Sequence, residues 1–238
     1  SEAAAETVAP LICDTSVLLE EGARAGKKIL FEAQLGTLRD LSFGIYPYTT
    51  SSCTLAAYAP IGGGLFGRPA DRVVAVVKAF STCVGEGPFV TLMEKDLADR
   101  LRESAKEYGA ATGRPRTIGH FDALATRYGA QVQGATEIAL TKLDSLTGMP
   151  SLKVCTHYTH EGKVYDRFPL NAVLEEAAPV YEETAGWSED ISGVREFSAL
   201  PEAARKYVLR IEELVQCRIR YVSVGPEREA LIDRGARG

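Results

Sequence analysis

Ile138-Ala139-Leu140-Thr141-Lys142-Leu143-Asp144 is the stretch from which the chain is best read. A short apolar run that breaks at once into Thr-Lys-x-Asp is the pattern of a buried strand carrying a polar pair to the edge of a sheet. An aspartate so placed accepts hydrogen bonds from guanine N1–H and from the exocyclic amine, bidentate and charge-assisted. The alkyl stem of the lysine lies along a flat base while its ammonium stays solvated. Adenine lacks those two donors and would leave the buried carboxylate unpaired, so the pair separates GTP from ATP. Thr-Lys-x-Asp alone is moderately specific, since a polar turn after any strand uses the same letters. The surrounding chain has to decide.

Outward from this strand, apolar segments alternate with amphipathic ones. Helices are expected over 14–26, with Asp14, Thr15 or Ser16 as N-cap and a Val17-Leu18-Leu19 face, and over 94–108, 120–133, about 171–177 and 201–214. A buried strand is expected at 29–31, a helix passing into a strand over 71–80, and a strand at 219–224, with Pro179-Val180-Tyr181 following the helix near 171–177. Residues 152–158 and Val164, joined by a turn at 161–163, read as a β-hairpin. Strands alternating with helices imply an α/β fold, a mainly parallel central sheet flanked by helices with a small hairpin subregion. We expect one such domain over 1–238. The Gly-, Pro-, Ser- and Thr-rich stretch 36–67 is too long for a simple connector and reads as a binding surface.

Net charge is −5 without a basic tract, which argues against a nucleic-acid surface. No apolar run is long enough to span a bilayer and no secretory signal pattern opens the sequence, so a soluble cytoplasmic protein is expected. Cys13, Cys53, Cys83, Cys155 and Cys217 are odd in number and scattered, which fits neither a disulfide framework nor a zinc ribbon; reduced core positions are expected for most. The sequence begins at Ser1, consistent with a processed or partial chain.

Four further clusters could carry chemistry. Ser223, Val224 and Gly225 end a strand as Thr141 does, so the two could flank one base at the carboxyl edge of a sheet, although Gly225-Pro226 also reads as a plain turn. Glu107-Tyr108-Gly109-Ala110-Ala111-Thr112-Gly113-Arg114-Pro115-Arg116 is a helix end running into a loop with two arginines, the residue suited to bidentate capture of carboxylate or phosphate. Tyr46-Pro47-Tyr48-Thr49-Thr50-Ser51-Ser52 offers hydroxyls for phosphate or sugar, and Gly62-Gly63-Gly64 reads as a flexible turn. His157 and His160 stand three apart in a strand, on opposite faces and without a third ligand, so no metal site is expected. A G-x-x-x-x-G-K-[ST] phosphate loop is not found in the sequence; Gly22-Ala23-Arg24-Ala25-Gly26-Lys27-Lys28 has the wrong spacing and precedes a strand.

Taken in order, Cys13-Asp14-Thr15-Ser16, Phe31-Glu32, Gly36-Thr37-Leu38, Tyr46-Pro47-Tyr48, Thr50-Ser51-Ser52, Val84-Gly85-Glu86-Gly87-Pro88-Phe89, Thr112-Gly113-Arg114-Pro115-Arg116, Gly119 with Asp122, Thr141-Lys142-Leu143-Asp144, Pro179-Val180-Tyr181-Glu182, Gly186-Trp187, Leu200-Pro201 and Gly225-Pro226 resemble adenylosuccinate synthetase over nearly the whole chain. The resemblance implies a GTP-dependent ligase that joins IMP to L-aspartate, forming adenylosuccinate on the way to AMP, with Mg²⁺ and a homodimer. It assigns Arg116, Lys142, Leu143, Asp144, Ser223, Val224 and Gly225 to GTP. It assigns Gln34, Leu35, Thr50 and Arg114 to IMP, and Ala111, Thr112, Gly113, Arg114, Pro115, Arg116 and Thr117 to aspartate.

Leu35 stands where the family carries an IMP-contacting glutamine, with Gln34 beside it; Leu92, Thr117 and Cys83 also depart from the family pattern. The family's phosphate loop, catalytic aspartate and histidine and Mg²⁺ ligands have no counterpart here, so no catalytic residue or metal ligand is expected in this chain. The resemblance therefore implies the C-terminal portion of such an enzyme, inactive alone. The rival reading is a non-catalytic guanine-nucleotide-binding paralogue or regulatory partner subunit.

Overall fold

The computed structural model describes residues 2–110, 113–169 and 171–235. Their strands are β1 (Val74–Lys78), β2 (Ser81–Cys83), β3 (Thr117–Gly119), β4 (Phe121–Asp122), β5 (Glu137–Thr141), β6 (Ser151–His160), β7 (Lys163–Tyr165), β8 (Ala178–Ala185), β9 (Ile219–Ser223) and β10 (Leu231–Asp233). A four-stranded sheet runs β1-β5-β9-β10, with β1, β5 and β9 parallel and β10 antiparallel. The register sets Lys78 opposite Thr141 and Leu140 opposite Val222, so β1 and β5 end level at the carboxyl edge. The fold is the α/β class that the alternating segments imply.

Side-chain alternation gives the sheet two unlike faces. Ile138, Leu140, Val222 and Ile232 are buried in the main core. Ala204, Tyr207, Val208, Ile211 and Val215 of the helix Glu202–Val215 join them there; their three-and-four spacing makes one apolar stripe. Tyr207 donates its hydroxyl to the Ala79 carbonyl at 2.7 Å, pinning this helix to the end of β1. On the other face Val76 is 74% exposed.

A second sheet is built on β6, parallel to β4 and antiparallel to β7 and β8. The β6–β7 hairpin turns at Glu161 and Gly162, both left-handed, as the sequence suggests. Asp122 ends β4 and caps the helix Ala123–Gln133 through the Ala125 N–H at 3.0 Å. Its other oxygen accepts the Tyr158 hydroxyl at 2.6 Å, deep in the core.

Several local expectations are corrected. Residues 29–31 form no strand, and Leu30 is 92% exposed. Residues 71–80 contain β1 but no helix, as β-branched Val73, Val74, Val76 and Val77 favour. The helix expected from His120 begins at Ala123, because Phe121 and Asp122 pair with β6. The helix Thr15–Arg24 forms with Asp14 as cap, yet Val17 and Leu18 are exposed. Gly62 and Gly63 finish a short helix, Ala59–Gly63, which left-handed Gly64 terminates. The helix near 171–177 is shorter, Asn171–Leu174. Among the cysteines only Cys155 is buried; Cys13 and Cys53 are exposed.

Candidate functional site

At the end of β5 the chain turns sharply because Lys142 takes a left-handed conformation (φ 60°). Leu143 then donates its N–H to the Ser223 carbonyl at 3.3 Å. That bond sets the turn at Asp144 beside the turn at Gly225, so the two strand ends linked in the sequence reading are neighbours. Ser223 donates its hydroxyl to the Gly225 carbonyl at 2.9 Å, and Val224 N–H bonds to Ala230. Leu143 and Val224 are fully buried, which leaves their backbone, not their side chains, to meet a ligand. Lys142, Asp144 and Ser223 are half-buried and keep their side chains partly exposed at this edge.

The Asp144 carboxylate is half-buried at the head of a short turn, Asp144–Leu146. Burial pushes its pKa above the ordinary value, against its own N–H, the Lys142 charge and the Ser145 N–H. A half-buried carboxylate held above its usual range is suited to a ligand that brings its own donors.

The arginine-bearing loop has a closed base. Tyr108 and Pro115 form an antiparallel bridge, Gly109 N–H donates to Arg114 O at 2.8 Å, and Arg116 N–H donates to Glu107 O at 3.0 Å. Gly113, left-handed at φ 64°, donates to Gly109 O at 2.8 Å, and Arg114 and Pro115 are exposed. Ala111 and Thr112, which the sequence reading gave to this loop, lie outside the described residues. Thr117 belongs to β3, paired with Cys83, so the loop ends before it. Arg116 is no free finger either: its guanidinium donates to the Glu107 carboxylate at 2.9 Å, and its carbonyl accepts from Arg102 at 2.8 Å.

Gln34 and Leu35 lie on an exposed turn where Leu35 and Gly36 both take positive φ, 74° and 81°. The turn is held by Thr54, which donates its hydroxyl to Gly36 O at 3.1 Å. Buried Asp40 organises the same region by accepting the N–H groups of Ser42, Phe43 and Thr54. Thr50 N–H donates to Arg39 O at 2.8 Å, which ties Thr50 to the same loop as Gln34. The Arg39 guanidinium reaches Tyr48 O at 2.7 Å, Glu86 O at 2.9 Å and Cys83 Sγ at 2.8 Å. It thereby joins the hydroxyl-rich segment 46–52 to the glycine-bearing loop 84–87.

Three residues that organise these parts escaped the sequence reading: Arg39, Lys78 and Glu107. Lys78 had a signal, since it closes an apolar run just as Thr141 does. Arg39 had none, and Glu107 was read only as the helix end before the arginine loop, because Lys78 and Lys142 for Glu107, and Glu86 for Arg39, are distant in sequence. His120 bonds to Glu94 at 3.1 Å and Cys83 to Arg39, so they do not form a thiol–imidazole pair. Among the described residues no group of three or more His, Cys, Asp or Glu side chains could hold a metal ion.

Comparison with known proteins places this geometry. Residues 1–232 match the family model for adenylosuccinate synthetase. An adenylosuccinate synthetase of Caldanaerobacter subterraneus subsp. tengcongensis is 51% identical over 231 residues, covering 96% of this chain and 54% of the relative. Adenylosuccinate synthetase 2 of Pseudoalteromonas translucida is 53% identical over 223 residues, covering 94% of this chain and 52% of the relative. A structure of fully ligated adenylosuccinate synthetase from Plasmodium falciparum superposes with a TM-score of 0.91 at 36% identity, covering 96% of this chain and 55% of that one. The chain spans about half the length of the curated relatives it matches.

Proposed function

We propose, since the chain belongs to the adenylosuccinate synthetase family, that it supplies the guanine-reading edge and the purine- and carboxylate-binding loops of a GTP-dependent ligase joining IMP to L-aspartate. The observation that carries the reading is the Leu143 N–H to Ser223 carbonyl bond, which sets Asp144 and Ser223 on one sheet edge. Asp144 accepts guanine N1–H and the exocyclic amine, Lys142 lays its stem along the base, and the backbone of Leu143, Ser223, Val224 and Gly225 closes around it. Arg116 faces the phosphate side of GTP.

Arg114, Thr50 and the turn at Gln34 and Leu35 hold IMP. The loop formed by Ala111, Thr112, Gly113, Arg114, Pro115 and Arg116, with Thr117 at its root, receives aspartate, whose two carboxylates suit paired arginines. In the reaction the IMP 6-oxygen takes the γ-phosphoryl group of GTP and becomes a leaving group. The aspartate amine then displaces phosphate at that carbon. This chain's residues bind and orient the reactants, and no residue of it is assigned a proton transfer.

Mg²⁺ belongs to the family chemistry as the resemblance implies it. The described residues offer no cluster to hold it, so no step is assigned to it here. One α/β domain over 1–238, a cytoplasmic location and a homodimer belong to the same proposal. Among the described residues no helix is long and apolar enough to cross a membrane.

Mapping backbone amide shifts in the chain tests the assignment. GTP should perturb residues 141–145 and 223–225, and IMP should perturb 34–36, 50 and 114. GTP shifts that avoid both strand ends would overturn the reading. GTP shifts at the edge without IMP or aspartate shifts in the loops would favour a non-catalytic guanine-nucleotide-binding subunit.

A further inference from the structure

Glu107 lies just past the helix Lys95–Ala105 and is 1% exposed. Three cations converge on it. Lys78 Nζ donates to Oε2 at 2.6 Å, Arg116 Nη1 donates to the same oxygen at 2.9 Å, and Lys142 Nζ stands 3.2 Å from Oε1. Lys142 also donates to the Ala105 carbonyl at 2.6 Å, and Lys78 to the Thr82 hydroxyl at 2.8 Å. Lys78 ends β1, Lys142 follows β5, and Arg116 precedes β3, so one carboxylate gathers groups from two strand ends and the arginine loop.

Burial opposes the charge on Glu107, but Lys78 and Lys142 outweigh it and hold the carboxyl below its usual range. Burial also pulls the Lys78 ammonium down, against the attraction of Glu107. One acid facing three cations leaves the cluster positive. Glu107 itself is buried, whereas the Lys78, Arg116 and Lys142 side chains keep 25%, 29% and 34% of their surface exposed, so the surplus positive charge reaches solvent at this edge. Among the described residues Arg116 Nε and Glu107 Oε1 are buried without a hydrogen-bond partner, Lys142 meeting Oε1 as an ion pair only, a further cost that anchoring a loop does not require.

We propose that Glu107 is a positioning residue of the nucleotide edge: by holding the Lys142 ammonium and the Arg116 guanidinium on one carboxylate, it makes guanine binding and the setting of the arginine loop a single event. The inference deepens the guanine-edge reading above and rests on it. With the ammonium drawn down to Glu107 and Ala105 O, the lysine stem is fixed where a base would lie. A base pressing on that stem shifts the ammonium, and the shared carboxylate passes the shift to Arg116.

Calorimetric titration of the chain with GTP, with thermal melts alongside, tests this. Glu107→Gln keeps the volume but leaves three cations unscreened, and GTP affinity should fall about tenfold or more. Glu107→Asp should recover part of the loss. The decisive readout is a double-mutant cycle with Lys142→Met and Arg116→Met in the native Glu107 background, which also serves if Glu107→Gln fails to fold. Their effects on GTP affinity should be non-additive by threefold or more, as expected for partners in one network.

Additive losses in that cycle, or a folded Glu107→Gln protein that binds GTP like the parent, overturn the proposal. A lowered melting temperature with unchanged GTP affinity overturns it as well, by making Glu107 structural only. If the parent chain binds no GTP, the guanine-edge reading falls and takes this inference with it. If the parent binds and only the coupling is missing, the guanine reading stands alone.

Discussion

Asp144→Asn should weaken GTP binding by about a hundredfold and turn the site toward xanthosine triphosphate. The carboxylate offers two acceptors to the two donors of guanine, N1–H and the exocyclic amine. An asparagine offers one acceptor and one donor, so its NH₂ would confront the guanine amine. Loss of one charge-assisted bond together with an unsatisfied donor amounts to ~3 kcal/mol, roughly two powers of ten in affinity. Xanthine carries a carbonyl where guanine carries the amine, which matches the asparagine pattern. Equilibrium binding of GTP and xanthosine triphosphate to both proteins checks it. Equal loss for the two nucleotides would mean that Asp144 supports the edge without reading the base.

The second large effect concerns the support of that edge. Gly186→Ala should destabilise the protein by about 3 kcal/mol or more. A Cβ at Gly186 would stand 1.7 Å from the Met149 carbonyl oxygen and 2.8 Å from its carbon. These are backbone atoms and cannot swing aside. Gly186 N–H donates to Pro150 O at 3.0 Å and Gly148 N–H to Trp187 O at 2.8 Å, so the two segments are laced at the point of collision. Trp187 also donates its indole N–H to Thr147 at 3.2 Å, and Thr147 N–H donates to Asp144 O at 3.1 Å. Displacement there reaches the turn at Asp144. Gly193→Ala is the control: nothing lies within 4 Å of its Cβ position, and its cost should stay within ~0.5 kcal/mol. Urea midpoints of the two variants separate them.

The parallel sheet was legible because its strands announce themselves locally. Ile138, Ala139 and Leu140 form an apolar run with a polar break, and the helix Glu202–Val215 spaces its buried residues by three and four. The β6–β7 hairpin was legible from Glu161 and Gly162. Residues 29–31 misled because an apolar triplet reports a preference for burial, whereas a strand also needs a hydrogen-bonding neighbour. Leu30 has none and faces solvent.

Lys142, Asp144 and Ser223 were singled out from sequence because strand ends mark them, and the sheet brings those two strand ends together. Glu107 and Arg39 stayed hidden. A buried carboxylate under three cations, and an arginine reaching carbonyls in other loops, depend in part on contacts 29 and 47 residues apart in sequence, besides the nearer ones to Arg116 and Tyr48. No local pattern encodes such contacts. The departure at Leu35 gains a local meaning, since a residue with φ 74° turns the chain there. Nothing in the structure explains why leucine in particular occupies it.

The central claim is that the paired ends of β5 and β9 read guanine, and calorimetric titration of this chain with GTP and ATP at two pH values tests it most directly. GTP should bind at least about a hundredfold more tightly than ATP. Burial raises the pKa of free Asp144, and guanine donors stabilise its ionised form, lowering the pKa in the complex. The complex thus holds fewer protons, so GTP affinity should rise with pH through the free-state pKa, and the measured heat should vary with the ionisation enthalpy of the buffer that takes up the released proton. Equal affinity for GTP and ATP, or GTP binding that neither releases protons nor responds to pH across that range, would contradict the account.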